Sequence, residues 1–306
     1  MPFADTTLRD EYAAAVERVA GRVLDALRGA GDPAAPTRRS APGAAGPAHA
    51  APEGPLPAEG PLSRAESAAV RVLGPDLFAA QLLAGLPLDG PTADAAAEAL
   101  ETFPMGGASP APGSAAAAGP DATGAALANA WRDRTTAQLV ALAGRPGPVP
   151  GPDPLRPPEP TPGDWPRWSV DMARLSALAL PRLDGPVHEL ARRHSLTLAR
   201  GVVRSMLRRD YRTAARLARW LAWTEADGAA AHLDLGPVLD RIRAVGDGST
   251  RMWLELAITE ALAGPGTTAS TASPTAASTP SAGAPGRTAG PPDHGPDGDS
   301  PDGAAA

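Results

Sequence analysis

Lysine is absent from this chain of 306 residues, so all 28 Lys/Arg positions are arginine. That excludes mechanisms built on a lysine Schiff base or a P-loop lysine. Cysteine is absent too, which removes disulfides, thiolate metal sites and cysteine nucleophiles. Large core formers are scarce: three Phe, two Tyr and two Ile, at Ile242 and Ile258. A core must be built from Leu, Val and Trp, with alanine adding little area per residue. Asparagine occurs once, at Asn129. Residues with AT-rich codons are thus nearly missing, as expected of a GC-rich bacterial genome.

No stretch approaches 18 uninterrupted apolar residues, so no membrane span is expected. The opening MPFADTTLRDEYAAAVERV has acids where a signal peptide needs positive charge, and no apolar run follows. The expected location is the cytoplasm.

Proline and glycine are plentiful instead. The 37 Pro and 33 Gly make up about 23% of the chain, against roughly 12% in ordinary soluble proteins. They cluster, and the clusters divide the sequence. Residues 31–61 and 105–120 read as disordered linkers. Residues 145–164 hold nine prolines and read as a semi-rigid spacer, and 265–306 as a disordered tail ending in Asp293, Asp297, Asp299 and Asp302. Between them, residues 6–144 carry N-terminal helices and 165–264 the main helical domain.

Hydrophobic periodicity is helical throughout. Leu8, Tyr12, Val16, Val19, Val23 and Leu27 recur at steps of three and four over 8–27. Ser63-Arg64-Ala65-Glu66 is a capping box for the next helix. Shorter helices are expected over 76–84 and 92–103, and a longer one over 123–143. In the main domain the spacing predicts helices over 170–180, 186–209, 211–223, 237–244 and 250–263. No period-2 alternation occurs. The fold class is all-α, an irregular helical bundle or short helical array with long disordered linkers and tail.

Charge is distributed unevenly along this frame. Residues 167–219 contain twelve arginines and four acids, a balance of +8, whereas the whole chain is −6. On a helical projection Leu198, Val202, Val203 and Met206 fill an apolar sector, with Arg193, Arg200, Arg204 and Arg208 opposite. In the following helix Arg212, Arg216 and Arg219 fall on one face with Trp220 and Trp223. Arg216–Trp220 and Arg219–Trp223 are i,i+4 pairs able to stack guanidinium on indole. Arg200, Arg204, Arg208, Arg212, Arg216, Arg219, Trp220 and Trp223 are therefore the candidate residues for contact with a partner or an anion. If the two tryptophans are exposed, the face suits phosphates and bases; if they are buried, it is scaffold.

The run LTLARGVVRSMLRRDYRTAARLARWLAW resembles one tetratricopeptide repeat, with Gly201, the Asp210-Tyr211 turn and Ala214 near that pattern's glycine, turn and small residue. Its glycine-to-turn spacing is off by one and arginines occupy apolar positions. No second copy follows, and a lone repeat cannot bury its own face. No family assignment rests on it.

Catalytic patterns do not emerge. His188-Glu189 begins like a zincin helix, but the second ligand position is Arg192, and His194 projects to another face. No metal, cofactor or catalytic residue is assigned. The sequence leads to a non-enzymatic helical adaptor or regulatory protein working through protein–protein contacts of 165–264. The alternative is binding to nucleic acid or an anionic surface through the Arg/Trp face of 186–223.

Overall fold

The chain folds into helices wherever its apolar side chains return every three to four residues. The computed structural model describes residues 3–31, 55–56, 62–104, 120–147, 156–161 and 163–264, which are helical with no strand among them. The segments expected as linkers and tail at 31–61, 105–120 and 265–306 fall wholly or largely outside the described residues, as do 148–155 and 162 of the expected spacer 145–164. Within the first, however, Pro55 and Leu56 are buried.

The elements are α1 (Phe3–Gly31), α2 (Arg64–Leu73), α3 (Ala79–Ala84), α4 (Gly90–Thr102), α5 (Pro120–Leu142), α6 (Trp165–Arg174), α7 (Pro186–Arg193), α8 (Ser195–Leu207), α9 (Tyr211–Ala226), α10 (Leu235–Val245) and α11 (Thr250–Ala263). Two 3-10 turns, Gly74–Phe78 and Ser176–Leu178, join α2 to α3 and follow α6. The capping box of α2 forms in both directions: Glu66 N donates to Ser63 Oγ at 3.2 Å, and Ser63 N to Glu66 Oε2 at 3.2 Å.

Helix α9 lies at the centre, touched by α6, α7, α8, α10 and α11. Ten of its residues are buried in the run 214–224, including Leu217, Arg219, Trp220, Leu221 and Trp223. Each indole keeps a partner for its N–H, as buried tryptophan requires: Trp220 Nε1 donates to Met172 O at 2.9 Å and Trp223 Nε1 to Leu180 O at 3.1 Å. Gly201 lets α8 come close on one side. A Cβ there would stand 2.8 Å from Ser169 Oγ and 2.9 Å from Leu217 Cδ1.

The N-terminal helices share this core. Helix α1 packs on α2, α3 and α11, burying Ala15, Val19, Ala20, Val23, Leu24 and Leu27. The apolar stripe read from 8–27 is covered in its second half, while Leu8 stays half-exposed. Turn Gly74–Phe78 lies against turn Ser176–Leu178.

The expected single helix 186–209 is two. The chain breaks at His194 (φ −116°, ψ 27°), separating α7 from α8. The 170–180 helix also differs, running from Trp165 to Arg174 and ending in the 3-10 turn. Helix α8 closes in a Schellman motif, with Arg209 N bonded to Met206 O at 3.1 Å and Asp210 N to Ser205 O at 2.9 Å. The left-handed position of that motif is held by Arg209 at φ 60°.

Candidate functional site

The expected face of arginines and tryptophans is not a single surface. Arg219, Trp220 and Trp223 are inside the protein, with Arg219 0% exposed. From Leu217 to Thr224 every residue of α9 is buried, so this stretch has no solvent face to give them, and the single stripe read for α9 underestimated its contacts. The two indoles are therefore out of reach of a base, and the i,i+4 stacks are replaced by tertiary ones. Trp220 and Trp223 meet edge to face at 5.8 Å, and His188 packs against both. The guanidinium that sits over Trp223, at 4.9 Å, belongs to Arg192 of α7.

Arg219 is held by a polar cage. Nη2 donates to Asp76 Oδ1 at 2.6 Å, Nη1 to Glu255 Oε2 at 3.1 Å and Nε to the carbonyl of Ala179 at 3.1 Å. Burial pulls this guanidinium down, and the Asp76 and Glu255 charges outweigh that pull and hold it above its ordinary range. Burial pushes Glu255 up, and Arg219 with Arg216 and Arg251 brings it below the usual carboxylate range. Ser176 Oγ also donates to Glu255 at 3.1 Å. This triad ties the turn of Asp76, α9 and α11 together.

The other candidates spread outward. Arg216 is half-buried, its Nε 3.6 Å from Glu255 Oε1. Arg212 is exposed and ion-paired with Asp247. Arg200 and Arg208 are exposed on α8, and the half-buried Arg204 lies over the Trp165 ring at 5.9 Å.

On α8 the outer face holds apolar side chains the projection did not place there. Leu198, Ala199 and Val202 are buried as expected, but Val203 is 45% exposed, Leu196 48% and Leu207 82%. At 100° per residue, Leu196, Arg200, Val203 and Leu207 fall within an arc of about 60°. Arg204 and Arg208 flank that arc on one side. Sequence reasoning gave Val203 to the core because neighbouring Val202 belongs there. Its signal lay in the spacing of Leu196, Val203 and Leu207, which is helical and offset from the buried stripe.

His188 is a buried imidazole. Its Nε2–H donates to the Leu178 carbonyl at 2.9 Å, and burial pushes its pKa below the ordinary 6.5. It borders a cavity of about 250 Å³ that also touches Trp131, Gln138 and Asp184. Among the described residues no three His, Asp or Glu side chains gather as metal ligands, and no helix is long and apolar enough to cross a membrane.

No family model matches the chain, and no curated protein or solved structure matches it either.

Proposed function

We propose that the protein is a helical adaptor or regulatory protein whose docking surface is the outer face of α8. One observation supports this reading: Leu196, Val203 and Leu207 stand in solvent along one line, with Arg200 among them and Arg204 and Arg208 beside them. The opposite face of the same helix is anchored on α9 and α6. Apolar anchors at helical spacing beside a basic border suit an amphipathic helix with apolar residues and a carboxylate-rich edge. The partner is therefore an acidic, amphipathic protein segment.

The test is a photo-crosslinking amino acid at Leu207 of the full chain, with adducts identified by mass spectrometry. The expected result is a crosslink to an acidic protein segment that is lost in Val203→Asp while the thermal transition stays in place. Adducts with nucleic acid, or a protein crosslink unaffected by Val203→Asp, would overturn the reading. The first of those outcomes would favour the nucleic-acid alternative through Arg200, Arg204, Arg208 and Arg212.

A further inference from the structure

Arginines from four elements converge where α5, α6, α9 and α11 approach the Ser176–Leu178 turn. They border a cavity of about 110 Å³ lined by Arg132, Arg174, Arg216 and Arg251, with Asn129 and Ser176 as its other polar residues. Among the described residues no carboxylate lines it. Arg216 and Arg251 also border a neighbouring hollow of about 50 Å³.

The carboxylates that act on these arginines are already engaged. Asp133 takes both Arg71 Nη2 at 2.6 Å and Nε at 3.2 Å. Asp76 takes Arg219, and Asp171 takes Arg174 at 2.8 Å. Glu255 is divided among Arg219, Ser176 and Arg216. Glu17, in the smaller hollow, accepts the backbone N–H of Thr250 at 2.6 Å.

Among the described residues, two of these guanidiniums have no carboxylate in contact, Arg132 and Arg251. Arg132 Nη1 donates to Asn129 Oδ1 at 2.9 Å, while its Nε is buried with no partner. Arg251 Nε is likewise buried and unpartnered. A buried donor left unsatisfied loses its hydration without replacement, and native folds keep such groups few. Burial, followed by the charge of Arg251, pulls Arg132 down to about 10; burial and then Arg216 lower Arg251. These positive charges oppose one another, and the residues around them make room for the arrangement. A Cβ at Gly74 would stand 2.5 Å from Arg132 Cγ, and one at Gly124 would stand 2.7 Å from Arg174 Nη1.

We infer that this cavity is a binding site for a phosphate-class oxyanion, held between Arg132 and Arg251 with Arg216 and Arg174 at its edges. The guanidinium fork matches the paired oxygens of a phosphoryl group. Two guanidiniums whose nearby carboxylates are held by other partners match a dianion. Since one water needs roughly 10–15 Å³ of such space, the cavity takes a group of a few heavy atoms. A free phosphate fits it, as does the phosphoryl end of a small phosphomonoester.

The experiment is a thermal-shift titration of the full chain with inorganic phosphate, against sodium chloride at matched ionic strength. Phosphate is expected to raise the Tm saturably, by roughly 5 °C when well above its Kd. Arg132→Gln and Arg251→Gln should each weaken phosphate binding at least about ten-fold, while Arg241→Gln, at an exposed position of α10, should leave it unchanged. Phenylglyoxal labelling of the unaltered protein gives a readout independent of folding in the variants: phosphate should protect Arg132 and Arg251 and leave the exposed Arg241 reactive. Glycerol phosphate acting at lower concentration than inorganic phosphate would identify a phosphorylated metabolite as the ligand, and the reverse order the free ion. A phosphate response no larger than that of chloride, together with unprotected Arg132 and Arg251, would overturn the inference.

Discussion

Arg219 and Asp76 meet at 2.6 Å across 143 positions of sequence, both side chains shut away from solvent. Replacing Arg219 by methionine keeps the volume but strands Asp76 and Glu255 as buried anions. Breaking such a network from one side costs about 3–5 kcal/mol. Urea denaturation of Arg219→Met should show that loss as a lower midpoint at unchanged slope. Adding Asp76→Asn to the same chain should restore part of it, because Asp76 is then uncharged while Glu255 still has Arg216 and Ser176 beside it.

Arg209 occupies a backbone position that glycine takes elsewhere in this fold. Gly85 and Gly228 end α3 and α9 with the same pair of bonds, at φ 67° and 92°, whereas α8 ends on Arg209 at 60°. A side chain in that region costs roughly 1–2 kcal/mol. Arg209→Gly should therefore stabilise the protein by about 1 kcal/mol, less the added freedom of the unfolded chain. Arg209→Ala keeps the strained Cβ and should change little. Equilibrium denaturation of the two variants separates backbone strain from charge.

Protonation of His188 should link stability to pH. Its folded pKa is lowered, by burial first, below the 6.5 of the unfolded chain. The unfolded state thus binds the proton more readily. The contribution is present above pH 6.5 and is lost as pH falls through the folded value. Glu225, pushed up by burial, acts in the opposite sense. The imidazole is isolated by comparing Tm profiles of wild type and His188→Gln between pH 7.5 and about 5. Wild type should lose more on acidification, and the gap between the two should narrow.

Local signals in the sequence carried well into the fold. Ser63 and Glu66 announce the start of α2 and form both bonds of the capping box. The 250–263 helix runs as its apolar spacing and the Gly264-Pro265 stop indicate. Long-range features were less legible. The break at His194 involves neither glycine nor proline; the ring packs on Trp168 at 5.5 Å, a contact between separate helices. Burial of Arg219 depends on Asp76, which no helical period can reach. A faint trace exists in Leu217-Ala218-Arg219-Trp220-Leu221-Ala222-Trp223, where one charge stands in an otherwise apolar run. A helix apolar all round is a buried helix, and read that way Arg219 belongs inside. The arginines of the cavity come from α5, α6, α9 and α11, so their meeting is a property of packing alone.

Thr250 N donates to Glu17 Oε2 over a separation of 233 residues, so a side chain of α1 accepts a backbone N–H from the first turn of α11. This joint sets a timetable for the newborn chain. At roughly 5–20 residues per second, α1 waits on the order of 10–50 s on the ribosome before α11 emerges to pack on it. During that interval the side of α1 that α11 will cover is open to chaperones, and the shared core closes only once α11 has been made.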